Sequence, residues 1–280
     1  MAFSSIVGIG ALENQKRIDA SNVRFWEELC GSSIARSLGI TTVDNDALRR
    51  FDEAYLGFYP YLWNYLSREP KGRRVLEIGL GFGTVGHILA SGGASYHAID
   101  IANGPVAMMR YRLASLRRPA RALRGSALAL PYGDSTFDAV YAIGCLHHIG
   151  DLRQGIAEVH RVLRPGGRAV VMIYNRLSLR RLLKVPLKQF WLEAFSGAMT
   201  TAAERARYDA NATGEAAPHT DFVSRREARR LFRGFKQVTV ESQNCDDLPL
   251  LISGRRIPRA KLLGTLGRWL GLDLYVVATR

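Results

Sequence analysis

A chain of 280 residues, 47% hydrophobic and 23% charged, can bury a full core as one large domain or as a domain with an appended cap. Its net charge of +14 suggests an anionic partner (nucleic acid, an acidic membrane surface, a phosphorylated or carboxylated substrate), with solubility as the bland alternative. Cys30, Cys145 and Cys245 are too few and too far apart for a disulfide framework or a metal-ligand motif, and Met1 to Leu12 lacks the basic leader of a signal peptide. With no stretch apolar enough to span a bilayer, these features place the protein in a reducing, cytoplasmic compartment. Arginine predominates over lysine, as in GC-rich bacterial genomes.

Residues 25–29 and 48–66 read as helices, the second rich in aromatics and broken at Pro60. Most of those aromatics should pack on the core. Residues 75–86, Val-Leu-Glu-Ile-Gly-Leu-Gly-Phe-Gly-Thr-Val-Gly, organise the rest. Val75, Leu76 and Ile78 make the apolar run of a buried parallel strand, Gly79, Gly81 and Gly83 a tight loop, and Thr84 onward a helix. Gly81, Gly83 and Gly86 also fit the dinucleotide spacing G-x-G-x-x-G. Glu77, just before the glycines, argues against a pyrophosphate at that loop and for a ligand carrying an ammonium or a sulfonium.

Val75–Gly83 resembles the first motif of the class I S-adenosylmethionine-dependent methyltransferases, V-L-(D/E)-x-G-x-G-x-G. Segments further along resemble that family in the same order: Leu130-Pro131-Tyr132, Phe137-Asp138-Ala139-Val140, Leu146-His147-His148 and Leu163-Arg164-Pro165-Gly166-Gly167. The resemblance is strong over residues 70–175 and looser over 222–280. It implies an α/β Rossmann-like fold with a mostly parallel seven-stranded sheet, helices on both faces, and S-adenosylmethionine as cofactor. It also implies an N-terminal helical lid (1–70), a cofactor-binding core (71–175), a substrate-cap insertion (176–222) and a C-terminal part of the core carrying a second insertion (223–280).

Ser95 to Asp100 reads as the second strand. Asp100 ends it about twenty residues past the glycines, where one carboxylate can accept from both ribose hydroxyls. A basic helix over 106–117 follows. Gly125 to Tyr132 matches the family segment G-D-A-x-x-L-P-F, but Ser126 stands where the family has an adenine-binding Asp, and a neutral acceptor is weaker. The cofactor residues implied are Glu77, Gly79, Gly81, Gly83, Asp100, Ile101, Ser126, Ala127 and Gly144.

His147 and His148 lie at the end of a strand over 137–144, where doubly wound sheets place ligands, and are the candidate general bases. Tyr174 and Asn175, ending the strand that starts at Arg168, could orient an acceptor, and His219 in the insertion is a weaker candidate. No metal ligands stand out. Leu177 to Phe195 is basic and amphipathic, residues 209–220 suggest a mobile loop, and Ser224 to Glu227 has the capping-box pattern. Strands are expected at 235–241 and 274–279.

The expected function is methyl transfer to a small-molecule acceptor of secondary-metabolite type, anionic if the arginines at 176–188, 225–236 and 255–261 border its site. The alternatives are a nucleic-acid methyltransferase, a lipid methyltransferase lying on membranes through 177–195, and a non-catalytic cofactor-binding protein. The sequence leaves the oligomeric state open.

Overall fold

β1 (Arg74–Ile78) lies between β2 (Ser95–Asp100) and β4 (Phe137–Ile143), parallel to both. Covered on both faces, it has no use for polar alternation, hence the apolar run at Val75, Leu76 and Ile78, all buried. The computed structural model describes residues 2–28, 32–66, 71–184, 201–249 and 255–280. β3 (Ala122–Arg124) adds to the outer edge of β2, and β5 (Leu163–Asn175) pairs with β4, again in parallel.

β10 (Asp273–Thr279) then runs antiparallel between β5 and β7 (Gln237–Gln243). The order is β3-β2-β1-β4-β5-β10-β7, the expected seven-stranded, mostly parallel Rossmann-like sheet. A two-residue β6 (Phe222–Val223) pairs with the end of β5, setting Phe222 against Tyr174. β8 (Leu248–Pro249) and β9 (Arg256–Ile257) form a small ladder in the second insertion.

Alternate residues of the central strands feed two cores. Leu76, Val140 and Val171 face one side with Ile156, Val159 and Phe232, whereas Val75, Tyr141 and Val170 face the other with Leu89, Met109 and Tyr65. The strand order reverses between β1 and β4, which makes the carboxyl ends of those strands the crevice of the fold.

Several sequence expectations change. The N-terminal helix runs Ala2–Trp26, far longer than the segment legible at 25–29, whose Leu29 lies outside the described residues. The second helix is Asn45–Phe58, with Asp44 as its N-cap; it ends ahead of Pro60, which opens a 3₁₀ turn, Pro60–Leu62. The expected mobile loop at 209–220 is instead a built turn. Asn211 Oδ1 accepts from the backbone N–H groups of Thr213 and Glu215, Ala210 bridges to Ala216, and Ala217 is fully buried. The insertion's amphipathic helix is described over Leu179–Lys184; Leu187, Lys188 and Trp191 lie outside the described residues. The capping box at Ser224 and Glu227 is present.

Candidate active site

A cleft of about 1020 Å³, open to solvent, lies over the carboxyl ends of β1, β2 and β4. Glu77, Gly79, Gly81, Gly83, Asp100, Ile101, Ser126, Ala127 and Gly144 all border it. Gly79 has φ of 80°, and a Cβ on it would strike the side chain of Cys145, so only glycine closes this turn. Asp100 grips the loop from below: Oδ2 accepts from Leu80 N at 2.8 Å and Oδ1 from Ala102 N at 3.0 Å. Its burial raises its pKa, and those backbone hydrogen bonds oppose the rise.

Glu77 is buried to 2% exposure and accepts a short hydrogen bond from the Tyr96 hydroxyl. Burial pushes its pKa up to about 8. A protonated carboxyl waiting in an apolar pocket is what a cationic ligand would ionise. This pair also explains the third glycine of the dinucleotide-like spacing. A Cβ on Gly86 would collide with the Tyr96 hydroxyl and with Glu77 Oε2, so Gly86 makes room for a carboxylate rather than for a pyrophosphate.

The N-terminal helices roof the cleft with Asp19, Asn22, Trp26, Phe51 and Tyr55; the family resemblance implied that one or two tyrosines of the second helix would face the site, but it singled out none of these residues. Asn22 Nδ2 donates to the His148 carbonyl at 2.7 Å and Gln15 Nε2 to that of Ile149 at 2.7 Å. Asp52 reaches the glycine loop through Arg112, in a bidentate pair with both bonds at 2.8 Å; Arg112 Nε in turn donates to the Phe82 carbonyl. Arg112, which the sequence shows only as one charge of a basic helix, is 1% exposed and ties roof to loop. A buried pair of this kind fixes register more than it adds stability.

The 3₁₀ turn Leu146–His148 gathers the expected catalytic residues. The His147 ring lies 4.1 Å from those of His148 and Tyr174, centroid to centroid. His147 is fully buried and borders neither cleft; His148 borders the first cleft and Tyr174 a second one. The His148 nitrogens are turned inward: Nδ1 sits 2.7 Å from the His219 carbonyl oxygen and Nε2 3.5 Å from Asp209 Oδ2. Burial lowers the pKa of both rings and raises that of Asp209. In this conformation the nitrogens of both histidines face the interior of the protein rather than the cleft. Asn175 is likewise spent on the fold, donating to the Gly271 carbonyl. His219 faces Asp221 at 3.2 Å.

The second cleft, about 1030 Å³ and also open, spans the ends of β5, β7 and β10. Phe58, Tyr59, Met172 and Tyr174 give it an apolar wall, and its polar side carries Arg180, Arg256 and Arg259 against Asp246, Asp247 and Asp273. Asp273, at the start of β10, is 2% exposed, and burial pushes its pKa up to about 7, so it can hold or release a proton near neutrality. Sequence reasoning missed it because its surroundings come from distant segments.

Several arginines of the basic segments are engaged within the protein. Arg180 forms a bidentate pair with Asp246 at 2.6 and 2.7 Å, Arg181 pairs with Glu204, Arg176 with Glu227, and Arg259 donates to Asn244. Their partners lie tens of residues away in sequence, so the clustering of charge overstates the cation available to a substrate.

A family model described as a methyltransferase domain matches residues 76–171. Demethylmenaquinone methyltransferases from Clavibacter sepedonicus and Beutenbergia cavernae are 38% and 39% identical over 104 residues, in each case 37% of this chain and 42% of the relative. The chain thus spans about two fifths of the length of these curated relatives. A chain of the Haloferax volcanii complex between the Trm112 methyltransferase activator and a methyltransferase superposes with a TM-score of 0.55 at 15% identity, covering 84% of this chain and 94% of that one, a likeness of fold. Glycine loop, paired carboxylates, strand order and sequence match agree: the core of this chain belongs to the class I S-adenosylmethionine-dependent methyltransferases.

Proposed function

We propose that the protein transfers a methyl group from S-adenosylmethionine to a small-molecule acceptor. The observation that carries this is the succession of surfaces along one edge of the sheet. Ser126 and Ala127 sit beyond β3, Asp100 at the end of β2, and Glu77 and Gly79 at the end of β1. Gly144 and Cys145 follow at the end of β4, and the second cleft lies at β5, β10 and β7. In this reading Ser126, Ile101 and Ala127 border the adenine and Asp100 accepts from the ribose hydroxyls. Glu77 and the glycine loop take the amino-acid end, and Tyr174 lies towards the acceptor. Bound there, S-adenosylmethionine supplies an electrophilic methyl carried on a sulfonium.

The residues of this chain hold the reactants in line and exclude water, which is enough to supply much of an acceleration of this kind. The N-terminal helices act as the lid and residues 176–222 as the substrate cap. The second cleft offers both signs of charge beside an aromatic wall, which suits a compact polar acceptor. An anionic group on it would find Arg256, since Arg180 and Arg259 are already hydrogen-bonded within the protein. The named activity of the relatives, on demethylmenaquinone, belongs to proteins that share less than half their length with this chain.

Calorimetry tests the cofactor assignment directly. S-adenosylmethionine and its demethylated product are expected to bind at micromolar affinity, with no measurable heat from NAD. Tighter binding of NAD would overturn it. A second measurement addresses the adenine end. Ser126 Oγ accepts from Leu128 N at 3.2 Å, a bond that an aspartate could also make while turning its second oxygen to the adenine amino group. Ser126→Asp is therefore expected to leave cofactor affinity unchanged or to raise it. A large loss with an unaltered circular dichroism spectrum would show that Ser126 does not face the base.

A further inference from the structure

Beneath the two clefts, where core and insertion meet, lie three potential ligand groups whose arrangement hydrogen bonding does not explain. His148 Nδ1 is 2.7 Å from the His219 carbonyl oxygen. A carbonyl can only accept, so Nδ1 carries the hydrogen and the neutral ring turns its Nε2 lone pair towards Asp209. Nε2 and Asp209 Oδ2 are 3.5 Å apart, and the same carboxyl oxygen accepts from the Tyr174 hydroxyl at 2.9 Å. Two acceptors facing each other need something positive between them. A separation of 3.5 Å is long for a hydrogen bond. It is close to the distance of about 3.4 Å between two ligands of one tetrahedral ion with bonds near 2.0–2.2 Å.

His147 supplies the third group. Its ring is fully buried, and neither nitrogen completes a hydrogen bond, although the Met172 backbone approaches it. Burying an imidazole with at most the Met172 backbone for a partner is costly, so such a ring needs a reason to be there. One ligand atom from each of His147, His148 and Asp209 lies within 4.8 Å of the other two. Closing that triangle on a single ion takes a swing of the His147 ring by roughly an ångström.

We propose that His147, His148 and Asp209 bind a divalent transition-metal ion of the zinc class. Two imidazoles and a carboxylate are borderline ligands of the kind zinc takes when a fourth position is left for solvent. The His219 carbonyl on His148 Nδ1 and the Tyr174 hydroxyl on Asp209 are the outer contacts that orient such ligands and fix their tautomer. His147 and His148 belong to the core, whereas Asp209 belongs to the inserted segment. The ion would pin that segment against the end of β5.

The test uses the untagged full-length protein, loaded with Zn²⁺ and then dialysed, and separately titrated with Co²⁺. The expected result is about one retained zinc per chain by elemental analysis, and visible d–d bands of a low-symmetry, four- or five-coordinate Co²⁺ site that Zn²⁺ abolishes. His147→Ala and the nearly isosteric Asp209→Asn, which keeps an acceptor for Tyr174, should each weaken binding at least tenfold. Far-ultraviolet circular dichroism and S-adenosylmethionine calorimetry check that each variant has folded. A wild-type protein that retains no zinc and gives no cobalt bands overturns the proposal, and leaves His148 and Asp209 as a pair sharing one proton. Equal metal retention in wild type and in a folded His147→Ala, Asp209→Asn double variant overturns it as well, since the ion would then be held elsewhere.

Discussion

Asp100→Ala is expected to weaken S-adenosylmethionine binding by roughly a hundredfold or more. Two hydrogen bonds from ribose hydroxyls to an ionised carboxylate contribute about 1.5–3 kcal/mol each. The substitution also frees Leu80 N and Ala102 N, which Asp100 holds at 2.8 and 3.0 Å, so the glycine loop loses its support along with the ligand contact. Asp100→Asn separates the two contributions. It keeps one oxygen for the loop or for the ribose but not the charge, and should fall between wild type and Asp100→Ala. Calorimetry reads the affinities and a thermal melt without ligand confirms the fold. An Asp100→Ala protein that binds as tightly as the wild type would remove Asp100 from the cofactor site.

Glu77→Gln should lower the same affinity by roughly one to two orders of magnitude, because a carboxylate facing a cationic ligand is exchanged for a neutral amide. The pH behaviour is more diagnostic. With its pKa near 8, Glu77 is largely protonated in the free protein at pH 7. A bound ammonium or sulfonium favours the ionised form, so binding at pH 7 should release a proton. Calorimetry in buffers of different ionisation enthalpy measures that release, and Glu77→Gln should abolish it.

Stability moves the other way. The folded pKa lies above the unfolded value of 4.5, so the contribution of protonated Glu77 is fully present below about 4.5 and is lost as the pH rises through about 8. Relative to the wild type, Glu77→Gln should therefore melt higher at pH 9 than at pH 6. Its amide oxygen still accepts from Tyr96, so the buried hydroxyl keeps a partner. Identical melting differences at the two pH values would show that Glu77 is ionised throughout.

Much of the cofactor side was legible because it depends on short-range pattern. Glycines at alternate positions after an apolar run and an acid closing the next strand are local signals, and Glu77, Gly79, Gly81, Gly83 and Asp100, which they mark, border one cleft with Ile101, Ser126, Ala127 and Gly144, which the family resemblance implied. β3 was missed because a three-residue edge strand that follows Arg121 and itself ends on Arg124 carries too little periodicity to stand out from a charged loop. The roof over the cleft was expected as a lid from the family resemblance, but its ligand-facing residues were not singled out, because a helix alone does not say which of its faces meets a ligand. Arg112 looks like its neighbours Arg110 and Arg117 until Asp52, sixty residues earlier, is brought against it. The same holds for Arg180 with Asp246 and Arg181 with Glu204. Hydrophobic periodicity locates strands and helices, but which charges neutralise one another is decided only when the chain is folded.

The turn at residues 147–149 is gripped from both covers through its backbone carbonyls as well as through the His148 ring. The His147 carbonyl accepts from Asp221 N in the insertion, and the His148 and Ile149 carbonyls accept from Asn22 and Gln15 of the N-terminal helix. Every amino acid has a carbonyl. This part of the hold on the two covers is thus indifferent to the side chains at these three positions, and a substitution there would remove only what the rings add, such as the contacts of His148 with the His219 carbonyl and Asp209.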